Sequence, residues 1–270
     1  MTMNYDVAII GGGVVGCAIA RELSRYRLKT VLLEKYAEVG FGTTKTNSGI
    51  IHAGHHSSLD TLKGRLVVRG NEMFDQLQDE LGFGFRRCGE IVVAQNDEEK
   101  AHLDDLMALG EEKGVEGLEM WDQERLRREE PNLSTHLVAA LYAPTAGVIN
   151  PYEFAFALIE CAQQNGVELL VDYEVEEIVQ EEGKLTTVAA DGRHITSSYV
   201  LNAAGVHSDV VAKMVGLEDF TIHPRKGEEY MLDKRLQGIV KRLVFPVPHG
   251  KTKGTLIIPT YDGTIMVGPT

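Results

Sequence analysis

A glycine-rich turn between a predicted strand and a predicted helix constrains the fold of this chain more than any other feature. The continuous apolar run over 6–10 is typical of a buried parallel strand, and the pattern that follows predicts a helix over 14–25. A second apolar strand is predicted over 30–34. The turn contains three glycines at the spacing Gly-x-Gly-x-x-Gly, namely Gly11, Gly13 and Gly16. A strand, a turn, a helix and a strand within about 30 residues make a βαβ unit.

Each glycine of this turn has a physical role in holding a dinucleotide. Gly11 permits the tight turn, Gly13 allows the backbone to approach a pyrophosphate, and Gly16 allows the helix to pack closely on the strand. Val14 and Val15 open the helix, whose N-terminal amides and positive dipole end favour an anion. We therefore predict a dinucleotide pyrophosphate at this helix N-terminus.

The second strand ends in a carboxylate, Glu34, which stands 21 residues after Gly13. A carboxylate at this place accepts hydrogen bonds from the hydroxyls of the adenosine ribose and repels a 2′-phosphate. We therefore assign Glu34, with the adjacent Lys35, to the cofactor site. NAD and FAD are both bound by units of this kind.

Two further features favour FAD over NAD. A loop over 42–49, rich in Gly, Thr, Ser and Asn, follows the second strand, where its hydroxyls and amides can bind the pyrophosphate and pass beneath a flavin. An antiparallel meander over 173–198 then precedes a buried strand over 199–202, in place of the continued strand–helix alternation expected of a NAD domain. A NAD-linked dehydrogenase remains the alternative.

Several further segments match one known family. They are 46–54, 143–147, 200–205 with Ser208 and Asp209, 224–228 and 268–270. Together with the glycine turn and Glu34, they resemble the D-amino-acid-oxidase-type superfamily of FAD-dependent oxidoreductases over essentially the whole chain. Within it, the chain is most similar to FAD-dependent glycerol-3-phosphate dehydrogenases and L-2-hydroxyglutarate oxidases.

The resemblance implies FAD as the cofactor and a set of residues around it. Val175 would offer its backbone to the adenine, and Ala204 and Gly205 would flank the nucleotide half. The residues that would line the pyrophosphate and the flavin are Thr43, Thr44, Asn47, Ser48 and Gly49.

The predicted fold is α/β, with two discontinuous domains. A Rossmann-type FAD-binding domain is expected over 1–80 and 150–215, and an interleaved, strand-rich α+β substrate domain over 81–149 and 216–270. The boundaries follow the points where the strand–helix alternation gives way to strands.

Charge and cysteine content restrict the partners and the compartment. The net charge of −13 argues against nucleic acid, because phosphate binding needs a basic face, although a local basic pocket still suits a small anionic substrate. Three widely spaced cysteines, Cys17, Cys88 and Cys161, are typical of reduced thiols in a cytoplasmic protein. No apolar run reaches the length of a membrane span, so any membrane association would be peripheral.

His52 is the candidate catalytic base or hydrogen-bond donor beside the flavin, because histidine titrates near neutral pH. The alternative is a structural histidine packed under the cofactor. His55 and His56 follow it, but no Cys or carboxylate stands at ligand spacing in the sequence, so we predict no metal site.

Lys226 and Tyr230, in a segment that starts at Arg225, are the other candidate active-site residues. Adjacent cations before a glycine suit an anionic substrate, whereas the alternative is a solvated strand end. Lys45 is a second candidate cation.

The resulting hypothesis is an FAD-dependent oxidoreductase that removes a hydride from the hydroxyl-bearing carbon of a small anionic substrate. Glycerol 3-phosphate is the first choice and L-2-hydroxyglutarate the second, and an inactive flavin-binding fragment is a further alternative. The electron acceptor would be a quinone, oxygen or a partner redox subunit.

A predicted strand over 264–267 runs to the end of the chain. A terminal strand is expected to leave a sheet edge, which natural proteins usually protect. The resemblance implies a further segment closing over the flavin ring, so we expect a fragment of a longer enzyme.

Overall fold

The computed structural model describes residues 3–181, 183–248 and 254–269. Their strands are β1 Met3–Ile10, β2 Thr30–Leu33, β3 Ile50–Ile51, β4 Phe85–Arg87, β5 Glu90–Ala94, β6 Glu119–Asp122, β7 Ala139–Ala143, β8 Gly147–Ile149, β9 Glu168–Leu170, β10 Val175–Glu181, β11 Lys184–Ala189, β12 His194–Asn202, β13 Tyr230–Leu232, β14 Leu243–Pro246, β15 Leu256–Pro259 and β16 Ile265–Gly268. Their α-helices are α1 Val14–Leu23, α2 Leu62–Leu81, α3 Asp97–Glu112, α4 Gln123–Glu129, α5 Pro151–Gln164 and α6 Ser208–Lys213.

Two compact units make up the chain, and both are discontinuous. The first unit is Met1–Asn47 with Pro151–Arg225, and the second is Ser48–Asn150 with Lys226–Thr270. The α/β class and the interleaved arrangement are as predicted, but the breaks differ, since the predicted breaks near residues 80 and 215 lie at 47 and 225.

Helix α2 explains the displaced first break. Its buried Asn71 donates hydrogen bonds to the carbonyls of His52 and Thr145, both 2.9 Å away, and Arg87 donates to Asp75 on the same helix. These partners all belong to the second unit. The helix spacing predicted the element, but only these distant contacts decide the unit in which it packs.

The first unit is built on a six-stranded sheet in the order β10-β11-β12-β1-β2-β9. Strands β12, β1, β2 and β9 are parallel, while β10, β11 and β12 form the predicted antiparallel meander. All four residues of β2 are buried, as expected of a parallel strand covered on both faces. The last meander strand and the predicted strand over 199–202 are one continuous strand, β12, and Tyr199 on it is 69% exposed rather than buried.

Gly16 shows how closely α1 packs on the glycine turn. A Cβ added at this glycine would stand 1.9 Å from the carbonyl oxygen of Gly11, and the next nearest side chain would be Ala203 at 3.5 Å. Only a residue without a side chain therefore fits here.

Gly16→Ala is expected to destabilise the protein by about 3–5 kcal/mol, because helix and turn must separate to admit the methyl group. Urea unfolding followed by circular dichroism measures the change. The matched control is Gly70→Ala in α2, where nothing lies within 4 Å of an added Cβ and helix propensity favours alanine. Equal stability of Gly16→Ala and the parent protein would contradict this packing.

The second unit contains a seven-stranded sheet in the order β13-β16-β15-β14-β5-β7-β6 and a three-stranded sheet in the order β3-β8-β4. Helix α3 begins after Asn96, whose side chain accepts from the amide of Glu99. An Asn followed three residues later by a Glu is the sequence pattern that predicts such a helix start. Apolar residues recur at helical spacing along α2, which is typical of a helix, but Leu62, Leu66 and Met73 are exposed in the described structure.

The last strand does not have the edge position expected of it. β16 lies between β13 and β15 and pairs antiparallel with both. The edge of that sheet is β13 instead. None of the described α-helices combines the length and the apolar character that a membrane span needs.

Candidate functional site

Three parallel strands of the first unit end side by side, and their carboxyl ends form one candidate site. Ile10, the last residue of β1, is in register with Asn202 on one side and Leu33 on the other. The chain leaves the sheet at Gly11, and the Gly11 amide donates to the carbonyl of Leu33 at 2.8 Å. Ligands of open α/β sheets bind outside the carboxyl ends of such strands.

The glycine turn leaves space at one position. Gly11 has φ +106°, and a Cβ there would lie 2.4 Å from the carbonyl oxygen of Ala203, so this glycine is fixed by conformation and by packing. At Gly13, which precedes α1, the nearest atom to an added Cβ would be Thr44 Oγ1 at 3.3 Å. Gly13 therefore borders open space rather than protein, as a cradle for a pyrophosphate requires.

The start of α1 is already partly hydrogen-bonded. The amide of Val14 donates to Thr44 Oγ1 at 2.9 Å, whereas the side chain of Val15 is 60% exposed. Thr44 is buried and lies in a single helical turn, Thr43–Lys45. The sequence assigned Val14 and Thr44 separately to the cofactor, and the structure also links them to each other.

Glu34 has a structural role that the sequence did not reveal. Its carboxylate is 6% exposed and accepts from the amides of Gly12, at 2.6 Å, and Tyr36, at 2.9 Å. A carboxylate has about four lone-pair sites, so two of them remain for ribose hydroxyls. Burial raises the pKa of the Cys17 thiol to about 12, and the nearby charge of Glu34 adds to this shift.

Lys35 lies at the surface beside the same strand end. Its Nζ is 3.4 Å from His207 Nε2 and 4.9 Å from the centre of the Tyr36 ring. Lys45, the second candidate cation, lies 3.7 Å above the Phe41 ring.

The remaining predicted cofactor residues of the first unit occupy its loops and one strand edge. Asn47 donates through its amide to the carbonyls of Thr43 and Thr44, which closes the loop on itself. Ala204 donates its amide to Asn202 Oδ1 at 3.2 Å, and Gly205 has φ +58°. Val175 begins β10, the edge strand of the sheet.

Ser48 and Gly49 belong to the second unit. Gly49 has φ +63°, and its carbonyl accepts from the amide of Ile149 at 2.9 Å. This hydrogen bond continues the pairing of β3 with β8. Their assignment to the flavin, like that of the other cofactor residues, stays a prediction.

The second unit contains a cluster of three histidines around one buried carboxylate, Glu90, the first residue of β5. His52 Nδ1 lies 3.6 Å from one oxygen of Glu90, while His55 Nδ1 and His56 Nε2 lie 3.5 and 3.8 Å from the other. Glu90 and His55 have no exposed side-chain surface, and the His52 side chain is 29% exposed. Phe245 packs beside His52 and His56, with ring centres 5.8 and 5.3 Å away.

Charge explains how this carboxylate is tolerated. Burial alone would raise the pKa of Glu90, but the surrounding imidazoles outweigh it and lower the pKa to about 2. Burial lowers the pKa of His55, and the attraction of Glu90 opposes this shift. The site therefore keeps an ionised carboxylate at neutral pH in contact with imidazoles.

Glu90 changes the premise of the metal prediction. The sequence shows no carboxylate near the histidines, yet the ligand atoms of His52, His56 and Glu90 lie within 4.8 Å of one another. The absence of a metal site stays a prediction, and the metal content of the purified protein tests it.

The loop that carries these histidines has its carbonyls bound by side chains. Asn71 donates to the carbonyl of His52 at 2.9 Å, and Lys113 donates to those of Gly54 and Ser57. Since the loop leaves β3 after Ile51, these two side chains replace the hydrogen bonds that a sheet would supply.

Asn71→Ala is expected to cost about 2–4 kcal/mol of stability, because it removes the Asn71 donor to the carbonyl of His52 and the Oδ1 acceptor of Arg87. The carbonyl of Thr145 keeps Arg87 as a donor. Thermal and urea unfolding measure the loss. Asn132→Ala is the control, since Asn132 makes a similar bond to the carbonyl of Ile239 but is exposed. Similar losses in both variants would contradict a special role for Asn71.

Lys226 and Tyr230 are not part of the histidine cluster. Lys226 Nζ pairs with Glu228 at 2.6 Å, and both side chains are largely exposed. Tyr230 lies on β13 opposite Val267 and is 64% exposed. Among the described residues, no ion pair or ring contact joins either side chain to His52. Their active-site assignment stays a prediction.

Sequence reasoning missed Glu90 and Asn71, although each leaves a local signal. Glu90 is the one charged residue of a strand whose five members are all buried, and a buried charge requires a partner. Asn71 is one of only two buried residues described on α2. Neither signal identifies the residues that Glu90 and Asn71 contact, because those residues are distant in the sequence.

Comparison with known proteins identifies the family. A family model described as "FAD dependent oxidoreductase" (DAO) matches residues 6–270. The chain belongs to the FAD-dependent oxidoreductase (DAO) family. FAD, rather than NAD, is therefore the cofactor, and the open position at Gly13 and the spare acceptor sites of Glu34 fit a dinucleotide.

Individual relatives of this DAO-family chain are similar along nearly its whole length. A glycerol 3-phosphate dehydrogenase from Caloramator mitchellensis is 42% identical over 98% of this chain and 55% of its own length. A mitochondrial L-2-hydroxyglutarate dehydrogenase from Bos taurus is 30% identical over 99% of this chain and 61% of its own. The chain thus spans little more than half the length of these relatives.

A solved structure shows the same fold. The dithionite-reduced L-alpha-glycerophosphate oxidase from Mycoplasma pneumoniae, with FAD bound, matches with a TM-score of 0.90 and 29% identity. The match covers 100% of this chain and 72% of that structure. The α/β fold with an FAD-binding unit is therefore confirmed.

Proposed function

We propose that this chain forms the FAD-binding and substrate-binding parts of an enzyme that oxidises the hydroxyl-bearing carbon of sn-glycerol 3-phosphate. The observation that carries the proposal is the 42% identity over 265 residues to a glycerol 3-phosphate dehydrogenase. The similarity to a glycerophosphate oxidase in three dimensions supports it independently.

FAD, when bound, supplies the redox step by accepting a hydride. The chain has to bind the dinucleotide, orient the substrate and take up the proton of the substrate hydroxyl. The carbon–hydrogen bond breaks with its electron pair leaving to FAD, the hydroxyl loses its proton, and a carbonyl group forms. His52 is the proposed acceptor of that proton, since its imidazole is partly exposed while Nδ1 is buried.

The anionic group of the substrate requires a cation, and Lys226 remains the first candidate. Lys226→Met keeps the apolar stem and removes the charge, so it is expected to raise KM at least about tenfold with a smaller effect on kcat. Steady-state kinetics with an artificial electron acceptor measure both constants. Lys184→Met, at an exposed position of β11, is the control. Arg225→Met tests the other candidate cation of this segment in the same way. An unchanged KM in both Lys226→Met and Arg225→Met would exclude these residues and direct attention to Lys45.

The function is tested by adding glycerol 3-phosphate to the purified, FAD-loaded protein without oxygen. Loss of the flavin absorbance by glycerol 3-phosphate, but not by glycerol, supports the proposal and its anionic substrate. Reduction by L-2-hydroxyglutarate alone would favour the second candidate, which rests on the 30% identity to the Bos taurus dehydrogenase. FAD binding without reduction by either compound would indicate a flavin-binding part that needs further chain. Repeating turnover with oxygen, a quinone or a dye then identifies the class of electron acceptor.

A further inference from the structure

Glu90 is a fully buried carboxylate whose nearest charged or titratable neighbours are imidazoles. Its backbone starts β5, and its Oε1 also lies 3.4 Å from the amide of Ala53, which follows His52. Neither arginine nor lysine forms an ion pair with it among the described residues. A buried carboxylate without a partner would strongly destabilise the fold. The histidines are therefore the groups that stabilise the charge of Glu90.

The geometry separates the two oxygens of this carboxylate. One oxygen, Oε2, faces His52 Nδ1, whereas Oε1 faces His55 and His56. Both Oε2 and His52 Nδ1 are inaccessible to solvent, and neither has a closer hydrogen-bond partner among the described residues. Their separation of 3.6 Å slightly exceeds a hydrogen bond, as often occurs between catalytic groups before a substrate is present.

Three residues fix the position of His52, one at its backbone and two at its ring. Asn71 binds its backbone carbonyl, Phe245 packs against the ring, and Glu90 meets Nδ1. Nδ1 is buried while the side chain as a whole is 29% exposed, so the exposed surface of His52 belongs to its other side-chain atoms. An imidazole with a carboxylate at Nδ1 keeps its hydrogen there, which leaves the lone pair on Nε2.

We propose that Glu90 is a positioning residue that holds His52 with hydrogen on Nδ1, so that Nε2 is the atom that accepts the substrate proton. This inference rests on the proposed function only for the identity of the proton donor. When His52 takes the proton, the ionised Glu90 stabilises the resulting imidazolium across the buried side of the ring. His55 and His56, on the other oxygen, keep the carboxylate in place.

Other titratable groups near this carboxylate act on it indirectly. Burial raises the pKa of the Cys88 thiol, and the charge of Glu90 adds to this shift. Burial lowers the pKa of His55, and the charge of Lys113 adds to that lowering. Neither Cys88 nor Lys113 forms an ion pair with Glu90 in the described structure. His52 and His56 both place a buried nitrogen against Glu90 and keep partly exposed side chains, 29% and 23% respectively. Among the described histidines of the cluster, His52 is the one that meets Oε2, and it does so through Nδ1, which leaves Nε2 as its second ring nitrogen.

The first test is the tautomer of His52, which needs no turnover. Histidine labelled with 15N in the FAD-loaded protein gives long-range 1H–15N correlations, and His52→Gln assigns the resonance of this residue. The expected result is hydrogen on Nδ1 in the parent protein. Hydrogen on Nε2 would overturn the proposal, and this outcome is independent of whether the substrate is correctly named.

The second test compares Glu90→Gln with a matched variant. Glu99→Gln removes the charge of another buried glutamate of the same unit, which caps α3 and accepts from the amide of Gln95. Glu90→Gln is expected to lower kcat at least about tenfold, with KM changed less than about threefold, whereas Glu99→Gln changes both less than about twofold. Glu90→Asp should recover part of kcat, and equal FAD content in all variants excludes loss of cofactor.

Three results would overturn the role of Glu90. These are a kcat of Glu90→Gln within about twofold of the parent value, the Nε2 tautomer described above, and stoichiometric zinc in the purified parent protein that is lost in Glu90→Gln. The last result would make His52, His56 and Glu90 a metal site instead. If the parent protein oxidises neither candidate substrate, the proposed function fails, and the tautomer still decides the role of Glu90. If Glu90→Gln does not fold, the tautomer of the parent protein again decides.

Discussion

Gly13→Val is expected to abolish FAD binding while the α/β fold is retained. Among the described residues, Thr44 Oγ1 is the only atom within 4 Å of a Cβ at this position. The side chain would therefore extend into the space that a pyrophosphate needs rather than into protein. We expect the variant to purify without flavin and to gain none on incubation with FAD. Flavin absorbance of the purified protein and a titration with free FAD measure the effect.

The controls for this variant separate binding from folding. Gly70→Val introduces the same side chain on α2, where nothing lies within 4 Å, and should keep its flavin. Gly16→Ala, in contrast, should lower the stability of the fold, as described above. Normal flavin content in Gly13→Val would show that the pyrophosphate is held elsewhere.

Glu34→Ala is expected to weaken FAD binding at least about a hundredfold, since two hydrogen bonds donated by ribose hydroxyls to a charged carboxylate are each worth about 1.5–3 kcal/mol. The same substitution removes the acceptor of the Gly12 and Tyr36 amides, so the protein without flavin should also lose stability. Titration with FAD measures the first effect, and urea unfolding of the flavin-free protein measures the second.

Two comparisons make this result specific. Glu38→Ala removes an exposed carboxylate four residues further along and should change neither quantity. Glu34→Gln keeps an oxygen that can accept from one amide but removes the charge, so it should lose less stability than Glu34→Ala. Unchanged FAD affinity in Glu34→Ala would mean that its carboxylate only holds the turn.

The local rules of chain geometry made much of this protein predictable. The glycine spacing predicted the turn at Gly11 and the close packing at Gly16, because both depend on atoms only a few residues apart. The helix that follows Asn96 was predicted for the same reason, since its cap is three residues from its donor. Glu34 was assigned to the cofactor site because it ends a strand, and the end of a strand fixes where its side chain lies.

What the sequence could not predict depends on contacts between distant residues. Glu90 meets His52 across 38 positions of the sequence, and α2 packs with the second unit through partners as distant as Thr145. The residues of β16 indicated a strand but not its position in the sheet. The structure places it between β13 and β15.

The sequence by itself therefore determined the dinucleotide unit, the cofactor class and the order of most elements, since each follows from spacing along one segment. Only the tertiary structure decided where the two units divide and which carboxylate lies next to Nδ1 of His52. The physical reason is that a buried charge needs a hydrogen-bond or ion-pair partner and a loop carbonyl needs a hydrogen-bond donor. Any suitable group that the fold brings near can serve, so the local sequence does not specify which one does. At His52 the fold brought Glu90 and Asn71.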